Sequence, residues 1–449
     1  ILSNTLLLYC LLPSAYLFAD TAWRENRLLP LEKITVGPWD NFEVSVDSGD
    51  ARIYFTRDRN RVANIFTQNL QDNQPELFIA SDGDSKDPVL QPGGHFLAMT
   101  YFRHDAQGDV CLVKLADKSI ACITNAETTD ESPFWIDNEH LGYLARAMSE
   151  TNRQLISYDL TTKQKTLLHQ GAISAPAVHP NGQYIVFNQN EDREANVRIN
   201  VLNRQTGKIQ QPPAFDLSGI TGYLAFSTDG NFLYFSHYLS DTNFDQRIDG
   251  NDHSVAFRIP FAPWLDSSQA MVPEQLSSVA NNCKFPNLTA RFLYLTCAFE
   301  GSLDIYRLPL SGAVPQTWTI DQIKEAHLSA RSYQDRLLLL NAMRYRSQQT
   351  DATLLERLLS DHLQLGELTA AAYYVEQLQH YYQKQNNGDL SAFYQSLSLL
   401  LQASAAKQRV PVGIVTAQFT GKVAAIRKQL HGQKIRATLL TLMDAYLDY

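Results

Sequence analysis

The chemistry most legible in this chain lies in twelve residues, Asp241-Thr-Asn-Phe-Asp-Gln-Arg-Ile-Asp-Gly-Asn-Asp252. Oxygen-bearing side chains fall at positions 1, 3, 5, 9 and 12, and the apolar Ile248 stands at position 8. Calcium takes about six to eight hard oxygen ligands, and alternate residues of a tightly coiled loop aim such oxygens inward. The side chains of Asp241, Asn243, Asp245, Asp249 and Asp252 and the main-chain carbonyl of Arg247 are the candidate ligands. The alternative is a solvated acidic loop. The segment follows Phe235-Ser-His-Tyr-Leu239 and precedes Ser254-Val-Ala-Phe-Arg258, so it replaces a hairpin turn, with no base or nucleophile beside it. A calcium ion there reads as a structural clamp on an insertion.

This spacing resembles the EF-hand type of calcium loop, and Asp252 in the last position makes it most similar to the dockerin loop. It departs from that pattern at Gln246, where the family has glycine, which puts the turn or the ligand distances in doubt.

Four of the five cysteines form two matched sets. Cys111 and Cys122 flank a tight turn around Ala116-Asp117, and a register that pairs Leu115 with Lys118 sets them directly opposite. Cys283 and Cys297 flank a turn at Leu288 to Ala290 in the same way. Two facing pairs read as disulfides, with buried thiols as the alternative. Disulfides imply an oxidising compartment, most simply a bacterial periplasm.

Catalytic constellations are missing from the sequence. It has no Gly-x-Ser-x-Gly elbow, no His-Glu-x-x-His and no phosphate-binding glycine loop. His95, His104, His140, His169, His179, His237 and His253 fall mostly in turns or outer strands and read as structural. Lys plus Arg number 38 against 47 Asp plus Glu, a net charge of −9 spread without runs, which leaves no electrostatic footprint for nucleic acid or anionic lipid.

The scaffold is written in a signature that returns six times: a turn residue, one variable position, then apolar and aromatic residues entering a strand. Its anchors are Asp50, Gly94, Asn138, Gly182, Gly230 and Ala290, the first four 44 residues apart, the next steps 48 and 60. A period of about 40–45 residues with several short strands per unit is that of a β-propeller blade. Each four-stranded unit is apolar on both faces, so it is stable only when stacked against neighbours. Six anchors predict six blades over residues 39–320, closed by strand exchange through Asn41 to Asp47 or else with every blade intact; exchange is the preferred reading.

Val178-His-Pro-Asn-Gly-Gln-Tyr-Ile-Val-Phe187 and Ala225-Phe-Ser-Thr-Asp-Gly-Asn-Phe-Leu-Tyr-Phe235 resemble the W-S-P-D-G-x-x-I-A-F repeat of TolB-type propellers, also present in prolyl oligopeptidases. Ile156-Ser-Tyr-Asp-Leu-Thr-Thr162 and Ile305-Tyr-Arg-Leu-Pro-Leu310 resemble the strand that follows that repeat. The resemblance implies the propeller over residues 40–320. It departs from TolB in order, since no α/β domain precedes the ring and a helical region follows it, so TolB's partners do not carry over. No α/β-hydrolase segment of the prolyl oligopeptidase kind is present.

At the amino end, Thr5 to Ala19 is an apolar run of 15 residues interrupted by Pro13. That suits a signal-peptide core better than a span of about 20 residues. The chain starts at Ile1 without Met or a basic leader, so residues 1–22 read either as a signal peptide lacking its start or as a retained single-helix membrane anchor. Leu7-Leu-Tyr-Cys10 makes a poor lipoprotein box, because large apolar residues continue past it.

Beyond Asp321 the period becomes helical. Residues 321–449 read as an α-helical, solenoid-like region, in which Leu359 to Leu378 resembles part of a tetratricopeptide repeat with its turn at Gly366 and Ala371 at the close-packed position. Tyr373, Tyr374, Tyr381, Tyr382 and Tyr394 read as packing between helices rather than as a binding face. The functional expectation is a non-catalytic periplasmic scaffold binding protein partners in a cell-envelope complex. The alternative is a polysaccharide lyase or hydrolase with its site in the central funnel.

Overall fold

The computed structural model describes residues 31–407 except 60, 73, 81–82, 103–106, 125–127, 191–196, 216, 218, 240–241, 243–246, 272, 278–280, 299–301, 311–318, 331–338, 341–342, 344–351 and 366–367. The amino-terminal apolar run, Gly366, and all residues after 407 lie outside that description. The chain divides into two compact units: Leu31–Cys297 with Ser302–Ser311, and a helical one.

The first unit is a six-bladed propeller of four-stranded antiparallel sheets. Blade 1 comprises β2 (Asp40–Val46), β3 (Arg52–Arg59), β4 (Val62–Asn69) and β5 (Pro75–Ile79); blade 2 comprises β6 (Ser85–Leu90), β7 (Phe96–Tyr101), β8 (Asp109–Lys114) and β9 (Ile120–Cys122). Blade 3 holds β10 (Thr128–Trp135), β11 (His140–Ala147), β12 (Arg153–Asp159) and β13 (Lys165–Gly171), and blade 4 holds β14 (Ile173–Val178), β15 (Tyr184–Asn190), β16 (Val197–Asn203) and β17 (Lys208–Gln210). Blade 5 is β18 (Ile220–Phe226), β19 (Phe232–Tyr238), β20 (Ser254–Pro260) and β21 (Glu274–Gln275), with a short helix α1 (Phe261–Leu265) after β20. Blade 6 is β22 (Cys283–Leu288), β23 (Phe292–Cys297), β24 (Asp304–Pro309) and, outermost, β1 (Glu32–Lys33).

The second strand of every blade starts two residues after its signature anchor. Asp50, Gly94, Gly182 and Gly230 take φ of 53°, 70°, 69° and 73° there, which is why turn formers recur at the anchor. Each innermost strand touches the next, from β2 through β6, β10, β14, β18 and β22 back to β2, so the ring is closed. Apolar clusters fill the spaces between blades: Tyr54, Ile65 and Phe78 of blade 1 meet Leu97, Met99 and Val113 of blade 2. Each such buried side chain contributes roughly 1.5–3 kcal/mol.

Closure is by strand exchange, but through a different segment from the one the sequence pattern points to. Asn41 to Asp47 belongs to the inner strand of blade 1, and β1 pairs with β24, Glu32 opposite Arg307 and Lys33 opposite Tyr306. A two-residue strand leaves no alternation to read in the sequence.

In the helical unit, α2 (Ile320–Ser329) opens with a capping box between Thr319 and Gln322. Helices α3 (Ala352–Leu365), α4 (Leu368–Lys384) and α5 (Gly388–Lys407) pack in sequence, α3 on α4 and α4 on α5. Ala371, Tyr373, Tyr374 and Tyr394 are buried between them. The Tyr382 and Tyr394 rings stack at 5.6 Å, and both hydroxyls donate to Glu356 Oε1 at 3.2 and 3.0 Å. These tyrosines are packing residues; the described helices do not by themselves establish a solenoid.

Candidate functional site

The inner strands carry a device that recurs in all six blades. Their pairing with the second strand slips at Phe42/Ser45, Lys86/Val89, Glu131/Phe134, Ser174/Ala177, Thr221/Leu224 and Lys284/Asn287, so two residues oppose one at each site. The bulged pairs are Glu43-Val44, Asp87-Pro88, Ser132-Pro133, Ala175-Pro176, Gly222-Tyr223 and Phe285-Pro286. A bulge bends the strand and re-aims its side chains, and proline is admitted because the bulge frees an N–H from the ladder. Glu43, Asp87, Ser132, Ala175 and Phe285 have φ of 55°, 52°, 54°, 48° and 56°, a left-handed backbone costing roughly 1–2 kcal/mol for an L-residue. Phe285 is the bulkiest of them and the least suited to it. Among the described residues, five of the eleven non-glycine residues with positive φ line one cavity.

That cavity is the central funnel, about 640 Å³, lined by all six bulges. Its volume is that of a small-ligand site. The wall is polar on the side of blades 1 to 3. Glu43 Oε2 accepts from Thr56 Oγ1 at 2.8 Å and from the Asp87 N–H at 2.9 Å, and Asp87 Oδ2 accepts from Thr100 Oγ1 at 2.9 Å. Desolvation, reinforced by the nearby Asp87 charge, pushes the Glu43 carboxyl well above its ordinary pKa. Lys86 Nζ pairs with Asp84 at 2.9 Å, and Arg153 pairs with Glu131 at 2.9 Å while donating to the Ile173 carbonyl at 3.1 Å.

The side of blades 4 to 6 is apolar. Tyr223 stands where four other blades have proline, and its ring lies 4.0 Å from that of Phe285, centroid to centroid. Asn188 Nδ2 donates to the carbonyls of Thr221 at 3.1 Å and Gly222 at 2.6 Å and so fixes the backbone that carries Tyr223. Among the described residues the Asn188 Oδ1 is buried without a donor, a cost of about 1–3 kcal/mol at this point of the wall.

Glu43 provides a test of this electrostatic picture. In the fold it takes up its proton at higher pH than in the unfolded chain, so its contribution is complete below the unfolded value of about 4.3 and is lost as pH rises through the folded value. Glu43→Gln keeps a neutral group with the same acceptor. Its urea-unfolding stability should change less between about pH 5 and pH 8 than the parent's and match or exceed the parent's at the upper end. Identical pH dependence in the two proteins would refute the raised Glu43 pKa.

Of the residues singled out from sequence, the cysteines are brought together: Cys111 is bonded to Cys122 and Cys283 to Cys297, each pair directly opposite in its ladder. In the acidic loop, Asp241, Asn243 and Asp245 lie outside the described residues. Arg247 is exposed and Asp249 half-buried. Asp252 is buried; its Oδ1 accepts from the Thr242 N–H at 2.6 Å and Thr242 Oγ1 at 2.9 Å, and its Oδ2 from the Asp249 N–H at 2.9 Å. This carboxylate therefore clasps the two ends of the loop. Among the described residues, no group of three or more His, Cys, Asp or Glu is placed to hold a metal ion. His237 is buried, its Nδ1 3.2 Å from Thr221 Oγ1, and His179 packs on Tyr184, Phe226 and Phe261.

The funnel residues were not singled out from the sequence. Their signal was present: a proline four to six residues ahead of the anchor at Pro88, Pro133, Pro176 and Pro286.

The fold is thus that of a six-bladed β-propeller. No family model matches the chain, and no curated protein matches it. Similar solved structures include TolB from Acinetobacter baumannii, at 15% identity and TM-score 0.43, with 59% of this chain and 65% of that one covered. The putative TolB from Agrobacterium tumefaciens is 14% identical, TM-score 0.43, over 54% of this chain and 83% of that one. Oligogalacturonate lyase from Vibrio parahaemolyticus is 12% identical, TM-score 0.41, over 64% and 94%. Likenesses this distant do not bear on function. Among the described residues no helix is long and apolar enough to cross a membrane.

Proposed function

We propose that this chain is a non-catalytic recognition module of the cell envelope, binding through the propeller funnel and offering its helical unit to a protein partner in an envelope complex. The observation that carries this reading is that the charged groups of the funnel wall are held by the wall itself. Glu43 is held by Thr56 and the Asp87 N–H, Asp87 by Thr100, Lys86 by Asp84 and Glu131 by Arg153. A wall so braced presents a fixed shape and polarity, which serves recognition. The two disulfides support an extracytoplasmic location, here a periplasm.

A photo-crosslinking amino acid in place of Ser174, which lines the funnel, should capture a ligand in producing cells. The same group in place of Leu167, exposed on the outer strand of blade 3, serves as the comparison. Capture only from the outer strand would overturn the funnel reading. Turnover of a glycan or peptide by the pure full-length chain would overturn the non-catalytic one.

A polysaccharide lyase or hydrolase is the second reading. The Glu43 carboxyl, its pKa raised by burial beside Asp87, favours it, since a carboxyl shifted toward its neutral form is what general-acid chemistry uses.

Calcium at Asp241, Asn243, Asp245, Arg247, Asp249 and Asp252 belongs to the same proposal as a clamp on the blade 5 insertion. A ligand at a hundred times its Kd adds about 2.7 kcal/mol. Calcium should therefore raise the melting temperature of the parent and not of Asp245→Ala, and equal melting of the parent in calcium and in chelator would exclude the site.

A further inference from the structure

Tyr223 is the residue of the funnel that wall cohesion does not explain. Deep in the cavity lining, it remains 37% exposed. Its ring is braced by Phe285 and its backbone by Asn188, the first at the expense of a left-handed phenylalanine. In a ring of six, blade 5 stands across the axis from blade 2, and Tyr223 lines the same cavity as the Glu43–Asp87 pair. The phenol feels those carboxyls: burial foremost, then Tyr238 and the charges of Glu43 and Asp87, raise its pKa.

A ligand fitting such a funnel has an apolar face for the aromatic ring and hydroxyl groups for the opposite wall. Peptides and amines satisfy one half of this each. An ammonium would meet Lys86 and Arg153 in the same wall, whose charges balance the carboxylates, and an anion would meet the carboxylates. A pyranose ring presents axial C–H groups, slightly positive, to the negative face of an aromatic, and its hydroxyls both donate and accept. We infer that the funnel binds a neutral oligosaccharide, with Tyr223 as the stacking platform and the carboxyls of Asp87 and Glu43 as the hydroxyl-binding wall.

This inference rests on the funnel being the recognition site, and the test separates the two. The full chain is titrated calorimetrically with cellohexaose, maltohexaose and chitohexaose, and with a hexagalacturonate as the charged comparison. One neutral oligomer should bind in the micromolar to millimolar range, and hexagalacturonate more weakly. Tyr223→Ala should weaken that binding about tenfold, the loss of one aromatic contact, while Tyr223→Phe keeps it within about twofold because the stacking face is retained. Matching circular-dichroism melts of the two variants show that the ring is intact. Asp87→Asn should weaken binding several-fold with the same melt. No binding of any neutral oligomer at millimolar concentration, preference for hexagalacturonate, or binding indifferent to Tyr223→Ala overturns the inference. If that happens while position 174 still captures a protein in cells, the funnel reading stands and only the carbohydrate assignment falls; if position 174 captures nothing either, both fall.

Discussion

Asp304→Ala should destabilise the propeller by about 3–5 kcal/mol, the cost of breaking a buried ion pair by removing one partner. Asp304 is wholly buried in the first residues of β24. Its carboxylate binds Lys33 Nζ at 2.9 Å and accepts from Thr35 Oγ1, Asn41 Nδ2 and Ser302 Oγ, each at 2.9 Å. Three of those four partners come from the amino-terminal segment that completes blade 6 or starts blade 1, so this one side chain ties both ends of the ring. Arg57 Nε donates to Asn41 Oδ1 at 2.6 Å and extends the network into β3. The alanine variant leaves these donors facing an apolar wall. Urea unfolding should show the midpoint falling steeply, and proteolysis should cut first near β1. A loss below about 1 kcal/mol, the range of a solvent-exposed ion pair, would mean that closure rests on packing instead.

The second large effect is expected at the same seam. Replacing Cys283 and Cys297 together by serine should cost about 3 kcal/mol, the stabilisation associated with closing a loop of this size, here with a sequence separation of 14. Both cysteines are fully buried, and Cys297 stands opposite Asp304 in the ladder. The bond therefore pins the inner and second strands of blade 6 together where the ring closes. Cys111 and Cys122 join the third and fourth strands of blade 2, and Cys122 is exposed. Their replacement should be felt less in ring integrity. The check is the unfolding free energy of each double variant under oxidising conditions; equal stability of the Cys283/Cys297 variant and the parent would refute it.

How much of this was legible depends on the length of the pattern. Six second strands announce themselves because each follows a turn, left-handed at four of the anchors, with a run of buried apolar residues, as at Gly94 to Met99. Both cysteine pairs followed from hairpin register alone. The closing strand did not, since Glu32 and Lys33 are two polar residues whose partners lie in β24, far along the chain. The funnel was hidden for another reason. Two acids, Glu43 and Asp87, and the aromatic Tyr223 make no motif in the sequence; they share a place in a bulge, and a bulge shows in sequence only through the prolines at Pro88, Pro133, Pro176 and Pro286. Proline reads as a strand breaker, so the marks of the site looked like gaps in the scaffold.

The position of β1 also governs how the ring is made. Thr35 and Asp304 are 269 residues apart, so their contact closes one of the longest loops the propeller has, and such non-local pairings form slowly and late. Until they form, the edge of β24 stands open and able to accept a strand from another chain. The amino-terminal segment thus acts as an intramolecular guard of that edge. Docking of this two-residue strand is accordingly the expected last step of assembly.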